Sequence, residues 1–443
     1  MSKNKKYIKK GKEFIPGLTQ LLSKRPDQFS PDTWPTYFSK ADGTTIWDLD
    51  SNKYLDMSIS GIGANVLGYC DPDVDKAVIS SIKNGNSSSL NCAEEVDLAE
   101  YLCEIHPWAQ KVRFSRTGGE SMAIAVRIAR ASTNREKIVF CGYHGWHDWY
   151  LAANLSSDSS LEGHLLPGLN PAGVPKGLEG TSIPFEFNNL DQLKKIFLEN
   201  KGEIAAVVME PMRSVKPLTG FLEEVRKITK SEGSALVFDE ISSGFRSVPG
   251  GLHLLHKIVP DIAVFGKAMS NGYPMGAIIG TDAIMDACQK TFISSTYWTD
   301  RIGPTAAIAT IDKFIANDVH KKLIETGKKM QNIWLEASSD SNVDINVSGM
   351  YPMSYFSFKE DENLEKMTFF IQQMLKKGIL TSNRFYANYC HNDDHLEFYK
   401  NNALKIFSQI NKFSNSNDIN KDDVFIALKG TQSNGNDYID HAI

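Results

Sequence analysis

The stretch ALVFDEISSGFR, residues 235–246, decides the fold. Its first four residues are apolar without interruption, and the run closes on two acids, Asp239 and Glu240. A run with no polar alternation reads as a strand buried on both faces, so an acid at its end stands on the rim of a sheet. Twenty-eight residues after Asp239 the pattern returns in DIAVFGKAMSNGYPMG, residues 261–276, where a lone lysine, Lys267, closes the apolar run. Opposite charges at the ends of two buried strands are either a buried ion pair or two parts of one site.

The same reading extends outward. KIVFCG (137–142), IAAVVMEP (204–211) and MGAIIG (275–280) are further apolar runs bounded by Gly, Pro or charge, and helical patterns separate them. Parallel strands covered by helices follow. The flanks differ. TTIWDLDSNKYLDMS (44–58) alternates apolar and polar residues around an Asp-Ser-Asn turn and reads as a half-exposed hairpin. Amphipathic helical sequence fills 307–338, followed by the strand-like MYPMSYFSFK and a helix near 362–377. The expected organisation is an N-terminal segment of a small domain over 1–60, a large domain over 61–304 and the rest of the small α+β domain over 305–443. Residues 151–180 are rich in Gly, Ser and Pro, as functional loops are.

Composition excludes several classes. A length of 443 residues suits two or three domains, and 42% hydrophobic with 23% charged residues is ordinary for a globular chain. The formal net charge of -5 gives no pull toward nucleic acid or an anionic membrane. MSKNKKYIKK at the start reads as a solvated tail. Cys70, Cys92, Cys103, Cys141, Cys288 and Cys390 show no CxxC spacing, which argues against a zinc site or a disulfide framework and for reduced interior thiols. With no apolar run of roughly 18 residues, a membrane span is not expected and a cytoplasmic location is.

Two further elements bear on Asp239 and Lys267. In RFSRTGGESMAIAVRIARAS (113–132) a short strand gives way to Thr117-Gly118-Gly119-Glu120 and then a helix. Glycines let a ligand approach the backbone, and the free N–H groups of a helix start favour an anion such as phosphate; a plain capped turn would use the same residues. CGYHGWHDW (141–149) follows a strand with aromatic and histidine residues. Metal binding by His144 and His147 lacks a completing ligand set, and stacking on a flat ring fits better. A phosphate cradle, an aromatic face, an acid and an amine are together what pyridoxal 5'-phosphate (PLP) requires: the acid keeps the ring nitrogen protonated and the amine forms a Schiff base.

The order and spacing of these pieces resemble the class III (ornithine-type) aminotransferases, in particular the glutamate-1-semialdehyde aminomutase branch, from IPGLTQLLSKRP (15–26) to about residue 412. VFDEISSGFRSVPGGLH and PDIAVFGKAMSNGYPMGAIIG carry the resemblance. It implies fold type I of the PLP-dependent transferases: a mostly parallel central sheet with helices on both faces, plus a smaller α+β domain from both chain ends. It also implies that Lys267 is the Schiff-base lysine and Asp239 the pyridine partner. Tyr143 would stack on the ring beside His144, Ile241 would pack the other face, Gly118 and Gly119 would bind the phosphate, and Glu210 in VVMEPM would stand near the cofactor. Thr296 in SSTYWTDRIGP would reach the phosphate of a neighbouring subunit, which implies a homodimer with shared active sites. GIGANVLGY (61–69) and residues 151–180 resemble a substrate segment and a gating loop.

Several positions depart from the branch. Its phosphate turn has Ser-Gly-Thr where this chain has Thr117-Gly118-Gly119, so a side-chain donor is lost at the third position. Its substrate-carboxylate clamp has a serine and an arginine near Leu21 and Lys24, with Arg25 adjacent. Ile62 stands for a tryptophan, and Asn383 beside Arg384 stands for its late acid. Lysine does not replace a bidentate guanidinium. Lys24, Arg25, Ile62 and Arg384 are therefore the candidate substrate contacts. The expected activity is transfer from an amino acid donor to an aldehyde or keto acceptor, with a sugar-like metabolite as one candidate; intramolecular transfer by an aminomutase is the alternative.

Overall fold

The computed structural model describes residues 2–157, 159–164, 170–212, 214–359 and 363–413. Parts of the expected gating loop (158 and 165–169) and the C-terminal tail, 429–443, lie outside the described residues. Two compact units emerge, one from Met1–Asp71 with Lys321–Ile443 and one from Pro72–His320.

The larger unit is built on a seven-stranded sheet. From one edge to the other its strands run Lys111–Ser115, Gly276–Gly280, Ile262–Phe265, Ala235–Asp239, Ile204–Met209, Lys137–Cys141 and Ser182–Pro184. Successive side chains of a strand point to opposite faces. Ile138, Phe140, Val208, Val237 and Val264 accordingly join the core formed with helix Gly118–Thr133, while Val139, Cys141, Val207, Leu236 and Phe238 join a second core with Leu193, Phe221 and Val225. Burial on both faces is why these runs lack polar alternation.

Five strands, from Ile262–Phe265 to Ser182–Pro184, are mutually parallel. Gly276–Gly280 corrects the expectation of another parallel strand, because it is antiparallel to both its neighbours. Only residues 266–275 connect it to the preceding strand, and a parallel crossover needs a dozen residues or more, so the chain turns back. Register sets the parallel ends level: Cys141 pairs with Met209, Met209 with Phe238, and Asp239 with Val264. The residues just beyond, including Tyr143, His144, Glu210 and Lys267, therefore share the rim where open α/β sheets bind ligands.

The smaller unit holds the hairpin Thr45–Asp48/Lys53–Asp56 within a four-stranded sheet, and a three-stranded sheet of Ile345–Met350, Met353–Phe358 and Arg384–Tyr386. Its core gathers Trp334, Phe356, Phe370, Tyr399 and Phe407. The basic N-terminus is helical over Lys3–Phe14, with most of its residues exposed, so it is solvated but ordered rather than a loose tail. Ser2 Oγ accepts from the Lys5 N–H, and the carboxylate of Asp50 accepts from the N–H groups of Lys3 and Asn4, so a distant acid caps the helix and faces its positive end. The cysteines are all free, but Cys70 and Cys390 are exposed; the absence of CxxC spacing says nothing about where a single thiol lies. Among the described residues no helix is long and apolar enough to cross a membrane.

Candidate active site

Asp239 is the last residue of its strand and is 4% exposed. Its Oδ1 accepts from the Ile241 N–H at 3.0 Å, and its Oδ2 lies 2.8 Å from His144 Nδ1. The other ring nitrogen, Nε2, faces the Cys141 carbonyl at 2.9 Å and must donate to it. Both oxygens of the acid are thus pinned while keeping lone pairs for a ligand. Both ring nitrogens of His144 are thus engaged by the protein itself.

Lys267 opens a tight turn, Lys267–Ser270, at φ +44°, a left-handed conformation that lysine rarely adopts. Such strain is typical of functional positions and costs about 1–3 kcal/mol. Its Nζ donates to Ser242 Oγ at 2.8 Å, and Ser242 follows Asp239 by three residues on the turn after the strand. One turn therefore presents both the acid and the partner of the amine. Sequence reading passed over Ser242, although its place inside the motif and its short offset from Asp239 were visible.

Ile241 marks how closely the pieces meet. A Cβ built on Gly118 would lie 3.2 Å from its Cδ1, and one on Gly266, which precedes Lys267, 3.5 Å from its Cγ2. Gly118 and Gly119 are the first two residues of helix Gly118–Thr133, and their N–H groups have no partner among the described residues. Glu120 turns its carboxylate back to the N–H groups of Arg116 and Thr117, at 2.9 and 3.2 Å, which leaves the two glycine amides as the open donors.

Tyr143, 36% exposed, meets Tyr150 edge to face at 5.8 Å. Tyr150 is anchored by its hydroxyl, which donates to the Gly142 carbonyl at 2.9 Å. Glu210 is 8% exposed rather than a solvated terminus; a Cβ on Gly142 would stand 3.5 Å from its Oε2 and 3.7 Å from His144 Nε2. Thr296 is exposed at the start of the turn Thr296–Thr299. That turn is tied to the strand before the glycines by Arg116, which pairs with Asp300 and donates to the Trp298 carbonyl at 2.8 Å.

The four candidate substrate residues belong to the smaller unit. Lys24 is exposed at the end of a short 3-10 turn, and Arg25 forms an ion pair with Asp27. Ile62 has φ +61°, and Arg384 opens the strand Arg384–Tyr386. An arginine whose guanidinium already holds a carboxylate is a weaker clamp for another.

The family model described as "Aminotransferase class-III" matches residues 29–412. The 3-aminobutyryl-CoA aminotransferase of Cloacimonas acidaminovorans is 31% identical over 411 residues, covering 90% of this chain and 95% of that one. The glutamate-1-semialdehyde 2,1-aminomutase of Methanocaldococcus jannaschii is also 31% identical, over 399 residues, with 86% and 91% covered. In structure, the FumI protein of Sphingopyxis sp. MTA144, solved as its PLP internal aldimine, aligns with a TM-score of 0.84 at 23% identity over 93% of this chain and 97% of that one. The large mixed sheet with helices and the smaller sheet-containing unit are fold type I. Two open amide donors at a helix start, a doubly anchored acid and an amine near one isoleucine are the donor set PLP needs, and a side chain at Gly118 would crowd Ile241. The chain belongs to the class III aminotransferases and is a PLP-dependent enzyme.

Proposed function

We propose that this enzyme is a transaminase that moves an amino group from an amino acid donor to a separate aldehyde or keto acceptor, with Lys267 as the covalent anchor of the cofactor. One observation carries the reading: Asp239 and the Ser242 hydroxyl that holds Lys267 Nζ at 2.8 Å lie on the same turn, beside the open amides of Gly118 and Gly119.

When bound, PLP supplies an electrophilic carbonyl for the donor amine and a ring that accepts the electron pair of the broken C–H bond. Asp239 holds the proton on the ring nitrogen, and His144 and the Ile241 N–H keep the acid from turning away. Lys267 Nζ removes the proton from the substrate carbon and returns it one atom away. Ser242 holds the amine while it is unattached. Gly118 and Gly119 bind the phosphate, Ile241 and Tyr143 enclose the ring, Glu210 stands close by, and Thr296 reaches the site of a second copy in a homodimer.

The departures at Leu21, Lys24 and Ile62 favour two substrates over isomerisation of one. The acceptor is a polar carbonyl compound, sugar-like or of the 3-oxoacyl type that matches the first-named relative. Intramolecular transfer is the second reading, favoured by the 31% identity to an aminomutase. A multiple-turnover assay separates them. Product formation that requires an added donor such as glutamate supports transfer, whereas full turnover of glutamate-1-semialdehyde alone supports the aminomutase. Cofactor that stays covalently attached to Lys267→Ala after borohydride reduction and dialysis under denaturing conditions would overturn the anchoring role.

A further inference from the structure

The phosphate turn of this chain lacks the third-position hydroxyl, and the space above Gly119 is filled from elsewhere. A Cβ built on Gly119 would lie 3.1 Å from His147 Cδ2, 3.5 Å from His147 Nε2 and 3.4 Å from Trp146 Cδ1. Contacts at 3.0–3.4 Å force a neighbour to give way, so a threonine at 119 and the present position of His147 compete for one volume. The backbone is equally close: a Cβ on Gly145, at φ +100°, would meet the Gly119 Cα at 2.7 Å. The segment from Gly145 to His147 is thus packed directly on the second residue of the phosphate helix.

His147 is half-buried, and neither ring nitrogen makes a hydrogen bond among the described residues. Its ring is steadied by stacking on Trp146, with centroids 4.5 Å apart at 27°. This separates it from His144, whose two nitrogens are both engaged. The sequence places His147 in an aromatic and histidine cluster suited to stacking on a flat ring and assigns it no contact with the phosphate.

We infer that His147 is a cofactor-phosphate ligand, its Nε2 edge supplying the donor that a third-position hydroxyl would otherwise give, and that Gly119 is glycine because His147 occupies that side chain's place. Burial pushes the imidazole below its ordinary range, leaving a neutral ring with one N–H to offer at neutral pH. A ring N–H over Gly119 would add a third donor to the two open amides at the helix start, and a hydrogen bond to a charged oxygen is stronger than one to a neutral acceptor. The inference rests on the reading of Gly118 and Gly119 as the phosphate site.

The test is equilibrium binding of PLP, and of pyridoxal, which lacks the phosphate, to apo-protein followed by absorbance. His147→Ala is expected to raise the Kd for PLP about tenfold, the size of one hydrogen bond to a charged group, and to leave pyridoxal within about twofold. His147→Gln, which keeps a donor, stays within about threefold of wild type for PLP. Gly119→Thr alone weakens PLP binding, and the double variant Gly119→Thr/His147→Ala recovers most of the loss of His147→Ala, because the hydroxyl returns to a vacated space. Equal weakening of PLP and pyridoxal, unchanged PLP binding in His147→Ala, or a double variant no better than His147→Ala overturns the inference. Failure of the underlying site reading looks different: wild-type protein would then bind PLP no more tightly than pyridoxal.

Discussion

His144 Nδ1 stands 2.8 Å from Asp239 Oδ2 across 95 residues of chain, so the acid expected to meet the cofactor is aimed by a histidine that is itself anchored to the Cys141 carbonyl. An amide at 239 keeps the shape of the side chain but carries no charge to hold a proton on the ring. Asp239→Asn is expected to lower kcat by on the order of 100-fold or more, and His144→Ala by about 10–100-fold, because the latter only loosens the aim. Steady-state kinetics on PLP-saturated protein checks the order, and a His144→Ala defect as large as that of Asp239→Asn would contradict it.

Ser242 holds the Lys267 amine at 2.8 Å. Ser242→Ala is expected to slow the first half-reaction about 3–10-fold, while Ser242→Thr stays near wild type. The slowing belongs to the proton transfer, so the isotope effect with an α-deuterated donor should increase in Ser242→Ala. An unchanged isotope effect with the same slowing would assign Ser242 a structural role only.

Arg116 and Asp300 form an ion pair with side chains 10% and 15% exposed, and Arg116 also donates to the carbonyls of Trp298 and Asp300. Removing one partner of such a pair leaves the other desolvated. Arg116→Ala is expected to destabilise the larger unit by about 3 kcal/mol, read from urea unfolding, and Arg116→Lys to recover little of it because one ammonium cannot serve all three acceptors. A shift of the midpoint too small to resolve would show that the pair is solvated.

Two buried histidines set an acid limit on stability. His106 donates from Nδ1 to the Leu102 carbonyl at 2.9 Å and accepts the Gly251 N–H on Nε2 at 3.0 Å; His391 donates from Nε2 to the Asp56 carbonyl and accepts the Asn388 N–H on Nδ1. Each ring is neutral, since a second ring proton would face an N–H, and burial pushes each pKa from 6.5 down to about 4. The folded chain therefore binds fewer protons than the unfolded chain between those values. The stabilising contribution is complete above about pH 6.5 and is lost as pH falls toward about 4, at a cost on the order of 3 kcal/mol per histidine. Urea midpoints followed through that window should fall steeply, and the slope should lessen in His106→Gln and in His391→Gln; a flat profile would refute it.

Much of this was legible in the chain itself. Continuous apolar runs at 137–141, 204–209, 235–239 and 262–265 announced buried strands, because burial on both faces leaves no place for polar alternation. Strand Ile345–Met350 and helix Asp393–Phe413 were not anticipated. The strand's burial pattern has no clean period, and the helix opens on the polar sequence DDHLEFYKNN, in which packing rather than local pattern selects the buried side chains.

The residue sequence by itself determined the succession of buried strands, the acid and amine at two of their ends, the glycines at a helix start and hence the family, because each of these depends on hydrophobic pattern and spacing within a few residues. Tertiary structure decided which atoms meet. The antiparallel course of Gly276–Gly280, the capping of Lys3–Phe14 by Asp50, the bond from His144 to Asp239, the seat of Lys267 on Ser242 and the contact of His147 over Gly119 all join distant segments. Such contacts follow from sheet register and loop closure, whose energies are summed over the whole folded unit and leave no mark at any one position.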